Sequence, residues 1–185
     1  MPIDKKSDLI NQISGIELDM FEQVRTAMPA LCQERPETFK VMRGMTHSVL
    51  STETLSSYLE DLQKARADGK NLLTEKYARI DNQIPPLKAN PVIDDIVKRE
   101  SRWMKKLSQK YPHIFKGEAA SFEPYLSSEL ETYSDKTLEL YFRDVCQAEK
   151  EERSLAQERF TKLFQQIGYT SIAEVEERAR AENKE

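Results

Sequence analysis

Residues 90–112 read NPVIDDIVKRESRWMKKLSQKYP, and this stretch decides the fold class. Asn90 is a side chain that accepts from helix N-terminal amides, and Pro91 sits where a first-turn proline is tolerated. Ile93, Ile96, Val97, Trp103, Met104, Leu107 and Tyr111 recur at helical spacing, and Pro112 ends the run. The segment therefore predicts one amphipathic helix of five to six turns, with Glu100 lodged inside the apolar stripe.

The same signals repeat on both sides. A first helix is expected from about Asp4 to Ala27 on Ile10, Ile13, Met20, Phe21 and Val24, closed by Pro29. Pro36 opens a second on Phe39, Met42, Thr46 and Val49. Ser51 or Thr52 caps a third on Leu55, Tyr58, Leu59, Leu62 and Ala65, with Gly69 supplying the left-handed stop. A fourth runs from about Asn71 to Asn82, before Pro85 and Pro86. From His113 to about Ser128 the periodicity fails, which predicts a long loop with one short turn near Pro124. Ser134 then starts the longest helix, to about Ile167, roughly 50 Å at 1.5 Å per residue. Gly168 stops it, and Ser171 with Glu174 opens a last helix whose tail frays over about 181–185. The reading is an all-α, single-domain helical bundle spanning 1–185, of about six to seven helices, with one long helix near the C-terminus.

Composition agrees. Of 185 residues 32% are charged and 38% hydrophobic, and only 5 are Gly, too few for hairpins or phosphate-cradling loops. With 28 basic against 32 acidic side chains the net charge is −4, which leaves no surplus for a nucleic-acid backbone. The cluster Lys98, Arg99, Arg102, Lys105 and Lys106 reads as a solvated helix face. No apolar run is long enough for a membrane span or a secretory leader, and Cys32 and Cys146 do not make a disulfide framework. A cytoplasmic protein with no membrane and no nucleic-acid partner is expected.

The unusual feature is charge on faces that should be buried. Glu17 falls within the arc of Ile10, Ile13, Met20, Phe21 and Val24. Glu100 lies among Ile96, Val97, Trp103 and Met104. Arg43 stands beside Phe39, Met42 and Thr46, one turn before His47. Glu149 and Glu152 fall between Val145 and Ala156. An isolated buried carboxylate is costly, so such groups need a partner: a cation, a tyrosine such as Tyr58, Tyr77 or Tyr141, a metal, or a wet cavity. The plainer account is a glutamate at a stripe edge reaching out to water. A ferritin-like di-iron site is disfavoured, because neither His47 nor His113 follows a glutamate by three. Glu149 and Glu152, followed by Glu174 and Glu177, are weak candidates for a magnesium site like the acidic pairs of all-α nucleotide pyrophosphatases. Cys32 would be a nucleophile only if a base such as His47 came near it. Glu75 and Arg79 share one face, which predicts a surface ion pair.

Met20-Phe21-Glu-Gln-Val24, Cys32-Gln33, Phe39 with Met42-Arg43, Ser57-Tyr58 with Asp61-Leu62, Asn71-Leu72 with Glu75-Lys76-Tyr77-Ala78-Arg79, and Thr132-Tyr133-Ser134 with Thr137-Leu138 occur in order. In that order they resemble a bacterial family, domain of unknown function 4125. The family's pattern carries a tryptophan shortly after the Met-Arg pair; here the stretch is His47-Ser48-Val49-Leu50. The resemblance implies no activity or cofactor. It does add Cys32, Arg43, Tyr58, Asn71, Glu75, Tyr77 and Tyr133 to the residues worth following.

Two functions remain open at this point. One is a small-molecule site, binding or enzymatic, in which Glu17 and Glu100 act as acid or base, Arg43 clamps an anion, and Tyr58 and Tyr77 donate hydrogen bonds, with Asn71, Glu75, Tyr133, Cys32 and His47 near the ligand. The other is a non-catalytic interaction or homo-oligomerisation module presenting Leu155 and Phe164 from the long helix.

Overall fold

The computed structural model describes residues 4–24 and 36–182. Among these residues there are nine helices and no strand: α1 (Lys5–Glu22), α2 (Pro36–His47), α3 (Thr52–Ala67), α4 (Leu72–Ile80), α5 (Pro91–Lys110), α6 (Glu118–Leu130), α7 (Asp135–Lys150), α8 (Leu155–Gln166) and α9 (Ile172–Glu182). None is long and apolar enough to cross a membrane.

Side-chain caps set the starts. Ser51, Asn71, Asn90, Ser134 and Ser154 accept from the backbone amides of Thr54, Thr74, Val92, Thr137 and Gln157, each satisfying a donor that no helical carbonyl can reach. Four stops share one geometry. The amides of Lys70, Gln83, Arg153 and Tyr169 return to the carbonyls of Ala65, Ala78, Ala148 and Phe164 at 2.8, 2.8, 2.9 and 2.9 Å. The residue before each amide has positive φ: Gly69, Asn82, Glu152 and Gly168.

The expected six to seven helices fall short of the nine described, and three expected segments differ. The single helix over Ser134–Ile167 is two helices, α7 and α8, separated by a break at 151–154. A glutamate, φ 56°, occupies the left-handed position that glycine usually fills, so the stop carries no glycine signal. The apolar stripe also resumes at Leu155 and Ala156, both buried, which masks the break. The supposed loop over His113–Ser128 holds α6, with Pro124 inside the helix. Proline in a helix interior removes a hydrogen bond, yet Phe122, Leu126 and Leu130 pack on the core from this segment and hold the helix together. Helix α1 ends at Glu22 rather than Ala27, and the expected stop at Pro29 lies outside the described residues.

Helix α1 packs on α2, α3 and α4, while α5 packs on α6, α7 and α8. The two groups meet through α3 on α7, α2 on α8 and α4 on α6, and α9 rests on α8. One hydrophobic cluster runs through both groups, with Ile13, Phe21, Leu55, Leu62, Ile96, Leu130, Leu138 and Val145 almost inaccessible. Each such side chain contributes about 1.5–3 kcal/mol by leaving water. Polar groups are buried along the seam between the groups.

Candidate functional site

Glu17 on α1 is fully enclosed, and three side chains answer its carboxylate. Arg43 of α2 donates from Nε to Oε2 at 2.8 Å and from Nη2 to Oε1 at 2.6 Å. Tyr58 of α3 donates its hydroxyl to Oε1 at 2.8 Å. His47 Nε2 lies 3.1 and 3.2 Å from the two oxygens, so this nitrogen carries the ring proton. The other edge of Arg43 reaches Glu129 of α6, Nη1 to Oε2 at 3.1 Å and Nη2 to Oε1 at 2.8 Å. Lys76 of α4 donates to Glu129 Oε2 at 2.6 Å, and the Tyr133 hydroxyl donates to Oε1 at 2.9 Å. Tyr58 and Tyr133 stack at 4.3 Å between ring centres. Every one of these seven residues is buried.

The electrostatics are self-consistent. Burial pushes the Glu17 carboxyl up, but Arg43 and His47 beside it outweigh that and hold it at about 2. Burial acts the same way on Glu129, where Arg43 and Lys76 hold the carboxyl well below the usual range. Burial opposes the Arg43 charge, and Glu129 and Glu17 more than restore it. Tyr58 and Tyr133 are pushed far up by burial and stay neutral donors. Two carboxylates thus face two cations.

A second cluster lies across the seam. Glu100 of α5 takes Arg159 of α8 on both oxygens, at 2.7 and 2.8 Å, and the Tyr141 hydroxyl at 2.9 Å. Tyr141 accepts in turn from Arg159 Nη2 at 2.9 Å, and Arg159 Nε donates to the Thr46 carbonyl at 3.2 Å. Glu100 accepts these three hydrogen bonds and is fully buried.

Between the clusters is a cavity of about 310 Å³. Met42, Met45, Met104, Phe122, Leu126 and Phe160 make it mainly apolar, and Arg43, Glu129, Tyr141 and Arg159 bring both charge clusters to its wall. Met42 and Tyr125, each 40% exposed, are among its lining residues. A guanidinium has five N–H donors. Arg43 and Arg159 each engage four of them with described residues, which leaves one Nη1–H on each.

Of the residues singled out from sequence, Glu17, Arg43, His47, Tyr58 and Tyr133 come together. Glu100 belongs to the second cluster. Tyr77 is half-buried beside them, its ring 5.7 Å from Phe21 and its hydroxyl bonded to Tyr125. Asn71 is structural: it caps α4 and donates to the Met20 carbonyl at 2.8 Å. Glu75 joins neither cluster, and its expected partner Arg79 instead holds Glu131 at 2.7 and 3.2 Å. Cys32 lies outside the described residues, and Cys146 is a half-buried free thiol. Glu149 and Glu152 are not in a buried stripe: Glu149 pairs on the surface with Arg99 and Arg102 at 3.0 Å each, and Glu152 is the turn residue after α7. Among the described residues no group of three or more His, Cys, Asp or Glu could hold a metal ion. Leu155 and Phe164, expected on a partner-binding face, are core residues.

Three members were missed. Glu129 lay just past the segment taken for a loop, before the helix expected from Ser134. Lys76 follows Leu72 and Leu73 by four and three residues, and Arg159 follows Leu155 and Ala156 likewise, so both sit on apolar stripes.

The pattern of the family described as "Protein of unknown function (DUF4125)" matches residues 7–177, a span that contains every residue of both clusters and of the cavity. The chain belongs to that family. No curated protein and no solved structure matches it significantly.

Proposed function

We propose that this member of the family binds a small, largely apolar molecule in the cavity between α2, α5, α6, α7 and α8. The observation that carries the reading is the meeting of both buried charge clusters on the wall of one apolar cavity. Ligand sites are of this kind: mostly hydrophobic concavities with a few fixed polar groups. Proton-transfer chemistry has less support. Glu17, held at about 2, is a feeble base, and it stands behind Arg43 rather than on the cavity wall. Glu100 is also set back behind Arg159. Arg43 and Arg159 are the groups placed to meet a ligand, with Tyr141 beside them.

The test is a thermal-shift and calorimetric screen of ring-sized molecules against the wild type and two variants. Ala156→Phe fills the cavity from α8, and Ser121→Trp obstructs it from an exposed position. Ligands that raise the melting temperature of the wild type should lose at least about tenfold in affinity in both variants. Hits that bind the folded variants unchanged, or no hits at all, would remove this function.

A further inference from the structure

We infer that the ligand of this cavity is uncharged, with an apolar body about the size of one or two rings and a neutral oxygen acceptor such as an amide or ketone carbonyl. The inference rests on the binding function above and names its ligand class.

Charge balance is the first argument. Glu17, Glu100 and Glu129 are matched one for one by Arg43, Lys76 and Arg159. A ligand anion would add an uncompensated negative charge to a buried assembly that is already neutral, and Glu129 on the same wall would repel it. His47, the other basic side chain of the cluster, turns Nε2 to Glu17, and its buried Nδ1 has no partner among the described residues. A ligand cation meets the converse obstacle, two guanidiniums on the wall and no unengaged carboxylate.

Donor supply is the second. Arg43 and Arg159 each keep one Nη1–H after their bonds to described residues, so the wall offers donors that want an acceptor. A pure hydrocarbon would strip water from them and give nothing back. A carbonyl oxygen answers them without bringing charge.

Size is the third. A cavity of about 150 Å³ takes benzene. One of about 310 Å³ therefore takes a ring with a short chain, or two rings.

The experiment uses three molecules of one shape, 3-phenylpropanamide, 3-phenylpropionate and propylbenzene, titrated calorimetrically into the wild-type chain at pH 7. The amide should bind at least about 100-fold more tightly than the carboxylate, the consequence of desolvating an unpaired charge, and no more weakly than the hydrocarbon. A carboxylate equal to or tighter than the amide overturns the inference while leaving the cavity a binding site. A hydrocarbon that binds tenfold or more above the amide overturns the acceptor part on the same terms. If none of the three binds, the binding function itself fails and the inference with it.

Discussion

Replacing Arg43 with methionine removes the one group that bonds to both Glu17 and Glu129, and the consequence can be worked through. Arg43 makes four hydrogen bonds to the two carboxylates, none exposed to solvent. Removing one partner from a buried ion pair costs about 3–5 kcal/mol, because a charge is left behind. Glu129 keeps Lys76, but Glu17 keeps only Tyr58 and His47. Arg43→Met should therefore lose stability in that range at pH 7, measured by urea unfolding followed by circular dichroism. The pH dependence is the sharper readout. In the wild type the Glu17 carboxyl is depressed from 4.5 to about 2. Its stabilisation is present above pH 4.5 and is lost as pH falls towards 2; the depression corresponds to about 3 kcal/mol. In Arg43→Met burial remains without the guanidinium, so the folded carboxyl moves above 4.5. The sign then reverses, and the variant should gain stability as pH falls from 7 towards 4.5, while the wild type stays level. Glu17→Gln/Arg43→Met, lacking the carboxyl, should recover part of the loss and show no such gain. A loss under about 1 kcal/mol at pH 7, or a single variant that weakens on acidification over that window, would refute the account.

Glu152→Gly relieves a left-handed conformation at an exposed residue and should stabilise by about 0.5–1 kcal/mol, seen as a raised melting temperature. Pro124→Ala, at an exposed position inside α6, should restore a helical amide and add roughly 1–2 kcal/mol in the same assay; a loss would show that the proline shapes α6 usefully. Tyr141→Phe leaves Glu100 short of one donor and Arg159 short of one acceptor, and should cost about 1–3 kcal/mol in urea unfolding.

Helical periodicity was enough to place Glu17, Arg43 and Glu100 inside, because a helix of known phase fixes direction once its apolar neighbours are identified. The same rule hid their partners. Lys76 and Arg159 sit on apolar stripes, but a long basic side chain there reads as an edge residue reaching for water. Glu129 had the right phase, seven residues after Phe122 and three after Leu126, yet Pro124 between them argued against any helix. Glu149 and Glu152 went wrong for the opposite reason: the stripe of α8 continues that of α7 across a break with no glycine to mark it. The cavity could not be read at all, because spacing along a chain says nothing about the gap between helices brought together from α2, α5, α6, α7 and α8.

Six buried charges are a poor way to make a bundle stable. Desolvation consumes most of what their pairing returns, and apolar side chains of similar volume would serve as well. The arrangement makes better sense for what it fixes. Glu17 and Glu129 grip opposite edges of Arg43, and Glu100, Tyr141 and the Thr46 carbonyl grip Arg159, so neither guanidinium can turn. Each keeps one Nη1–H beyond its bonds to described residues, and both side chains line the same cavity before any ligand arrives. A site built this way spends no ordering entropy on its donors at the moment of binding. Glu17 and Glu100 stand behind arginines, and Glu129, which does reach the wall, is already held by Arg43, Lys76 and Tyr133, so among the described residues the wall carries no unengaged acid or base.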